Sequence, residues 1–136
     1  MMQQGIQSTF PNDELKAAGC HFFVLMKWLE VVEHEEFDNG RLIDLYDTSI
    51  DLNLMDHACN VLDAVKVVNI AMGCIGYKRY CKDMKEIPPV DPYIIRLVKP
   101  NYTHFLLYHQ GKTWDPLVPD RPAASTYSID SYRVLL

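Results

Sequence analysis

His104 stands in the apolar run Thr103-His104-Phe105-Leu106-Leu107-Tyr108-His109, and Asp115 follows in Trp114-Asp115-Pro116, across Gln110-Gly111-Lys112. Two short apolar runs separated by a glycine-bearing turn predict a hairpin. Its strands lie side by side, so an imidazole on the first can meet a carboxylate on the second. A histidine held in one tautomer by a carboxylate is the acid–base half of a catalytic triad. The complementary half is a nucleophile, and Cys20 supplies one in Ala18-Gly19-Cys20, at the head of a long helical pattern. Backbone N–H groups at a helix start favour a thiolate and offer donors to a tetrahedral oxyanion. The expected roles are therefore Cys20 as nucleophile with a lowered pKa, His104 as base and then acid, and Asp115 as the orienter of the imidazole.

Other residues fit these roles less well. His21 follows Cys20 directly, and adjacent helix residues point about 100° apart, so it is a poor base for that thiol and is expected to line the cleft. His109 shares a strand with His104 at odd separation, faces the opposite side and is expected to be solvated. His57 and Cys59 sit two apart in helical text and do not face each other. His34 lies among Glu33, Glu35 and Glu36 on a charged face. Trp114 suits either a place in the core or one flanking the imidazole, and Trp28 reads as core. Cys59 and Cys74 fall in apolar helical text and read as small buried side chains. The four cysteines contain no CxxC pair and their spacing matches no zinc finger, so no metal and no cofactor is expected.

The elements that must position these residues follow from periodicity. Residues 1–16 are polar and read as an extended lead-in with a turn at Pro11-Asn12-Asp13. Phe22, Phe23, Leu25, Met26, Leu29 and Val32 predict a buried helix over 17–36, stopped by Asp38-Asn39-Gly40. A second helix fits 41–46, and a third starts at 54 or 56, runs to 70 and breaks at Gly73 or Gly76. The 77–82 segment fits a short strand or a helical turn. After the Pro88-Pro89-Val90-Asp91-Pro92 loop, strands are predicted over 93–98, 102–109, 113–117 and 127–136, with a Pro/Ala/Ser loop at 116–125. Helices first and an antiparallel sheet second define an α+β class in one domain over 1–136.

Composition narrows the function. The 136 residues are nearly half hydrophobic, enough for a core without disulfides or metal. A net charge of −5 with scattered basic residues argues against nucleic-acid binding. The apolar-rich stretch 61–76 is interrupted by Asp63, Lys66 and Asn69, so no membrane insertion is expected. The first residues carry no basic cluster followed by an apolar run, which predicts no Sec-type signal peptide and a cytoplasmic protein until release.

In its motifs the chain resembles the papain-like cysteine peptidases, in the compact bacterial and phage branch that includes bacteriocin-leader peptidases and cell-wall endopeptidases. The resemblance rests on Ala18-Gly19-Cys20, His104-Phe105-Leu106-Leu107 and Trp114-Asp115-Pro116-Leu117, and spans residues 6–136 in element order with few identities. It implies a papain-like fold, with N-terminal helices packed on a C-terminal antiparallel sheet. It also implies a glutamine before the cysteine whose amide stabilises the oxyanion, and Gln7 is the candidate, ahead of Gln3 and Gln4. The chain departs from the pattern at His21, where many relatives carry a glycine or small polar residue, and in a longer interval between Gln7 and Cys20.

The implied function is cysteine-dependent hydrolysis of amide bonds in a peptide or peptidoglycan stem peptide, of phage or prophage lysis type, with action at the cell wall. The alternative keeps the fold without the reaction, as an interaction or immunity protein.

Overall fold

A computed structural model describes residues 1–117 and 127–136. These form an α+β structure in which helices pack against a five-stranded antiparallel sheet. A 3-10 turn (Ile6–Thr9) leads into α1 (Asp13–Ala18), α2 (Cys20–Glu33), α3 (Asn39–Asp51) and α4 (Ala64–Met72). The strands are β1 (Tyr80–Met84), β2 (Tyr93–Lys99), β3 (Tyr102–His109), β4 (Lys112–Trp114) and β5 (Ser128–Leu135). Across the sheet they run β1-β5-β2-β3-β4, so the last strand inserts between the first and second. The expected loop at 116–125 lies, beyond Leu117, outside the described residues. No helix among the described residues is long and apolar enough to cross a membrane.

The central helix is α2. Phe22 to Met26 are completely buried in succession, so the helix is covered on every side rather than on one stripe. It packs on β3 and on α4. Its start differs from the predicted one at residue 17. Asn12 caps α1 by accepting from the Leu15 N–H at 3.0 Å, and the Gly19 N–H closes α1 onto the Leu15 carbonyl. Gly19 then begins α2, with its own carbonyl accepting from Phe23. A Cβ at Gly19 would sit 2.6 Å from the Leu15 carbonyl oxygen, so the junction requires glycine. One glycine thus ends a helix and starts the next, placing Cys20 at the first position of α2.

Other boundaries also move. Helix α2 ends at His34, which adopts a left-handed φ of 57°, before the predicted stop. Asp38 caps α3 instead of stopping α2, and α3 runs to Asp51, past the predicted 46. Helix α4 starts only at Ala64, capped by Asp63, because residues 52–63 form turns closed by a Met55–Val61 bridge. His57 and Cys59 are therefore not helical. Cys74 follows Gly73, the left-handed end of α4, and is exposed rather than buried. The ambiguous 77–82 segment enters strand β1.

The N-terminal residues are not a loose lead-in. Lys27 and Glu30, one turn apart on α2, form a buried ion pair at 2.6 Å. Glu30 Oε2 accepts from the Met2 N–H and the Lys27 ammonium donates to the Met2 carbonyl, as does Trp114 Nε1. Both charges are thereby hydrogen-bonded as well as paired, which a buried ion pair needs to offset its desolvation. Gln4 continues the strap: its amide donates to the Thr113 carbonyl and its Oε1 accepts from the Asp115 N–H at 2.6 Å.

A candidate thiol site on the head of the central helix

The hairpin that carries the imidazole turns through Gln110 and Gly111, both at positive φ, the tight two-residue geometry that suits strand twist. It pairs His109 with Lys112 and Leu107 with Trp114. β4 stops there, and the chain leaves the sheet at Asp115. The backbone groups of this exit are taken up by the N-terminal strap, with Gly5 N–H on the Asp115 carbonyl and Gln7 N–H on the Pro116 carbonyl, each at 2.9 Å.

The exit brings Asp115 Oδ1 within 2.8 Å of His104 Nε2. Both side chains are buried, His104 completely. A carboxylate only accepts, so Nε2 carries a proton, and in the neutral ring Nδ1 carries the lone pair. The same Oδ1 accepts from the Leu117 N–H at 2.8 Å, which fixes the carboxylate. His104 Nδ1 is buried with no hydrogen-bond partner. It is the nitrogen left to take a proton, and an unpaired buried acceptor of this kind is a rare and costly feature.

Trp114 does not flank that imidazole. It pairs with Leu107 in register and lies under the Lys27 ammonium. The rings near His104 belong to Tyr102 and Tyr127, with centroids 6.5 and 6.4 Å away. His109 is bonded to Asp91 through Nδ1 rather than simply solvated.

Cys20, Gln7 and His21 line one cleft of about 440 Å³, whose other walls include Cys59 and Asn60, Tyr102, Thr103 and Phe105, and Arg96 and Arg133. The volume falls within the range of small-ligand sites. Thr103 and Phe105, on either side of His104, reach this cleft. No hydrogen bond joins the Cys20 thiol to His104, whose Nδ1 has none. The backbone N–H groups of Phe105, His21 and Cys20 itself favour the thiolate, as a helix head should. Burial outweighs them and, with a smaller contribution from the Asp115 charge, pushes the thiol up to about 11. The expected lowering of this pKa is thus reversed, because Cys20 is about nine-tenths buried. In the resting protein Cys20 is a neutral thiol.

Gln7 is completely enclosed at 1% exposure. Its amide nitrogen donates to the Lys16 carbonyl at 3.3 Å, and its Oε1 has no partner. The amide has a second N–H beyond that bond, so one donor remains for an oxyanion. Gln7→Ala is expected to lower turnover by about 10²- to 10³-fold if that donor is used. Steady-state kinetics check this, and unchanged turnover removes Gln7 from the chemistry.

His21 lies flat on Phe105, with centroids 3.9 Å apart and planes 6° from parallel, and shares a 2.9 Å hydrogen bond with the Tyr80 hydroxyl. Burial, with Arg133, Arg96 and Lys82 nearby, pushes its pKa down to about 3, so it is a neutral wall of the cleft. The sequence did not single out Cys59–Asn60, Arg96, Arg133 or Tyr102 as cleft residues. The first pair comes from the 52–63 turns and the rest from strands whose alternation alone marked them as facing one side or the other.

All four cysteines are free. Among the described residues no group of three His, Cys, Asp or Glu side chains is placed to hold a metal ion. No family model matches the chain, and no curated protein and no solved structure matches it.

Proposed function

We propose that the chain is a thiol hydrolase of amide bonds with a papain-like arrangement, acting on peptides of the peptidoglycan stem type. The observation that carries this reading is the buried His104–Asp115 hydrogen bond through Nε2, which leaves Nδ1 unpartnered one residue from a strand N–H group that approaches the Cys20 sulfur. The α+β order, the cysteine at a helix head and Gln7 in the same cleft add to it.

The chemistry runs in two halves. As substrate enters, His104 Nδ1 takes the Cys20 proton and the sulfur attacks the amide carbonyl carbon. The oxyanion receives the Cys20 N–H and the Gln7 amide. The proton then passes from Nδ1 to the departing amine nitrogen, the C–N bond breaks and a thioester remains on Cys20. Water, losing its proton to Nδ1, attacks the thioester, and the acid leaves as the thiol regains its proton. Asp115 keeps the Nε2 proton in place throughout and stabilises the imidazolium.

A second reading is favoured by one observation, the neutral, nine-tenths buried thiol without a bond to His104. On that reading the cleft binds a peptide and does not cut it. The two readings agree on the resting thiol and differ on turnover. With the thiol at about 11, alkylation of Cys20 by iodoacetamide should lag behind the exposed Cys74 at neutral pH. Its rate should climb with pH up to about 11 with no plateau in acid. A plateau near pH 6, measured by peptide mass spectrometry, would instead reveal a resting thiolate–imidazolium pair. Turnover that disappears with Cys20→Ala selects the hydrolase, whereas peptide binding that survives this change without any turnover in the wild type selects the binding protein.

A further inference from the structure

Two guanidinium groups line the cleft beside Cys20, and they differ in one respect. Arg96, on β2, is neutralised by Asp130 at 2.7 Å, a carboxylate brought over by the register shift where β5 passes Arg96. Arg133, on β5, is as buried as Cys20, at 9% exposure, yet no carboxylate pairs with it among the described residues. Its Nε donates to the Ser131 hydroxyl at a long 3.4 Å. Its guanidinium lies over the Phe105 and Tyr80 rings at 5.4 and 5.7 Å. Stacking on rings holds a cation in place but does not replace a counter-ion, and a buried charge is normally paired. Guanidinium is the side chain best shaped to receive a carboxylate through two parallel N–H donors. Among the described residues no acidic side chain lines the cleft to compete, and Arg133 and Arg96 add to the burial that lowers the pKa of His21.

We propose that Arg133 is the carboxylate-binding residue of this cleft, so that the peptide cut at Cys20 carries a free carboxylate close to the scissile amide. The substrate half of this proposal rests on the hydrolase reading; the anion site itself does not. The carboxylate comes either from an acidic side chain or from a chain terminus. Phe105 connects the two groups, since its backbone approaches the Cys20 sulfur and its ring stacks on His21 and lies within 5.4 Å of the Arg133 guanidinium.

Paired alkylation tests it. Iodoacetate and iodoacetamide both lose iodide to the same thiolate as the S–CH2 bond forms, so the ratio of their rates at one cysteine cancels the thiolate fraction. Only iodoacetate carries a carboxylate. At about pH 9, where a raised thiol still reacts, the iodoacetate-to-iodoacetamide ratio at Cys20 should exceed that at Cys74 in the same protein by about tenfold or more, the worth of one charge-assisted bond. Arg133→Gln should bring the Cys20 ratio down to that of Cys74, and Arg133→Lys should keep part of the preference.

Protection of Cys20 by N-acetylglutamate α-amide identifies a side-chain carboxylate as the source, and protection by N-acetylglutamine identifies a terminal one. A wild-type ratio at Cys20 no higher than at Cys74 overturns the proposal without any variant, as does a Cys20 that neither reagent reaches. A high ratio that Arg133→Gln leaves unchanged in a folded protein removes Arg133. A high ratio in a protein that cleaves no peptide keeps the anion site and discards the hydrolase, while cleavage with an ordinary ratio does the reverse.

Discussion

Replacing His104 with alanine should abolish amide hydrolysis, with a loss of about 10⁵-fold or more, and Cys20→Ala should do the same. On the hydrolase reading the two residues act on one proton, so the double variant should be no slower than either single one. In the structure both are buried, and His104 Nδ1 is a buried ring nitrogen with no hydrogen-bond partner. His21 is the nearest rival in sequence, but its ring is stacked on Phe105, its Nε2 is bonded to Tyr80 and its pKa is pushed down to about 3. Circular dichroism and thermal melting accompany the kinetics, because the fold of Cys20→Ala should be intact. A double variant whose losses multiply would show that Cys20 and His104 act independently, contrary to the triad.

Asp115→Asn should cost less, about 10²- to 10⁴-fold in turnover, because on the hydrolase reading Asp115 orients and does not react. An amide can present its NH2 to His104 Nε2 and so shift the ring proton to Nδ1, where it blocks the base. Asp115→Ala adds a structural penalty. It leaves the completely buried Nε2–H without an acceptor and releases the Leu117 N–H, at a cost of about 1–3 kcal/mol. Turnover and melting temperature should therefore separate the two variants: Asn mainly lowers turnover, and Ala lowers both. Full activity in Asp115→Asn would mean that the carboxylate serves only to anchor the hairpin exit.

The parts of the fold and site that were legible in the sequence are those that local pattern controls. Strand alternation and the Gly111 turn set the hairpin, and the hairpin puts His104 and Asp115 on neighbouring chain segments. The run from Phe22 to Leu29 marked the buried helix, although Gly19 starts it for a reason invisible in text, its contact with the Leu15 carbonyl. The strap from Met2 to Gln7 was not legible, because it is held by partners about 25 to 110 residues away, through Lys27, Glu30, Thr113 and Asp115. Lys27 and Glu30, one turn apart inside apolar text, were the available hint. The thiol pKa was misjudged for a related reason. Helix position can be read locally, whereas burial comes from packing α2 on β3, and at Cys20 burial wins. Arg133 was hidden because whether a basic side chain on a strand finds a carboxylate depends on the strand order β1-β5-β2.

Whether Cys20 cuts amide bonds is tested most directly by incubating the protein with purified peptidoglycan and with a mixed peptide library, beside Cys20→Ala, and reading the products by mass spectrometry. The hydrolase account predicts new fragments, each pair gaining one water across a single amide bond, with the wild type and none with Cys20→Ala. Intact substrates with both proteins, or the same fragments from both, would contradict it.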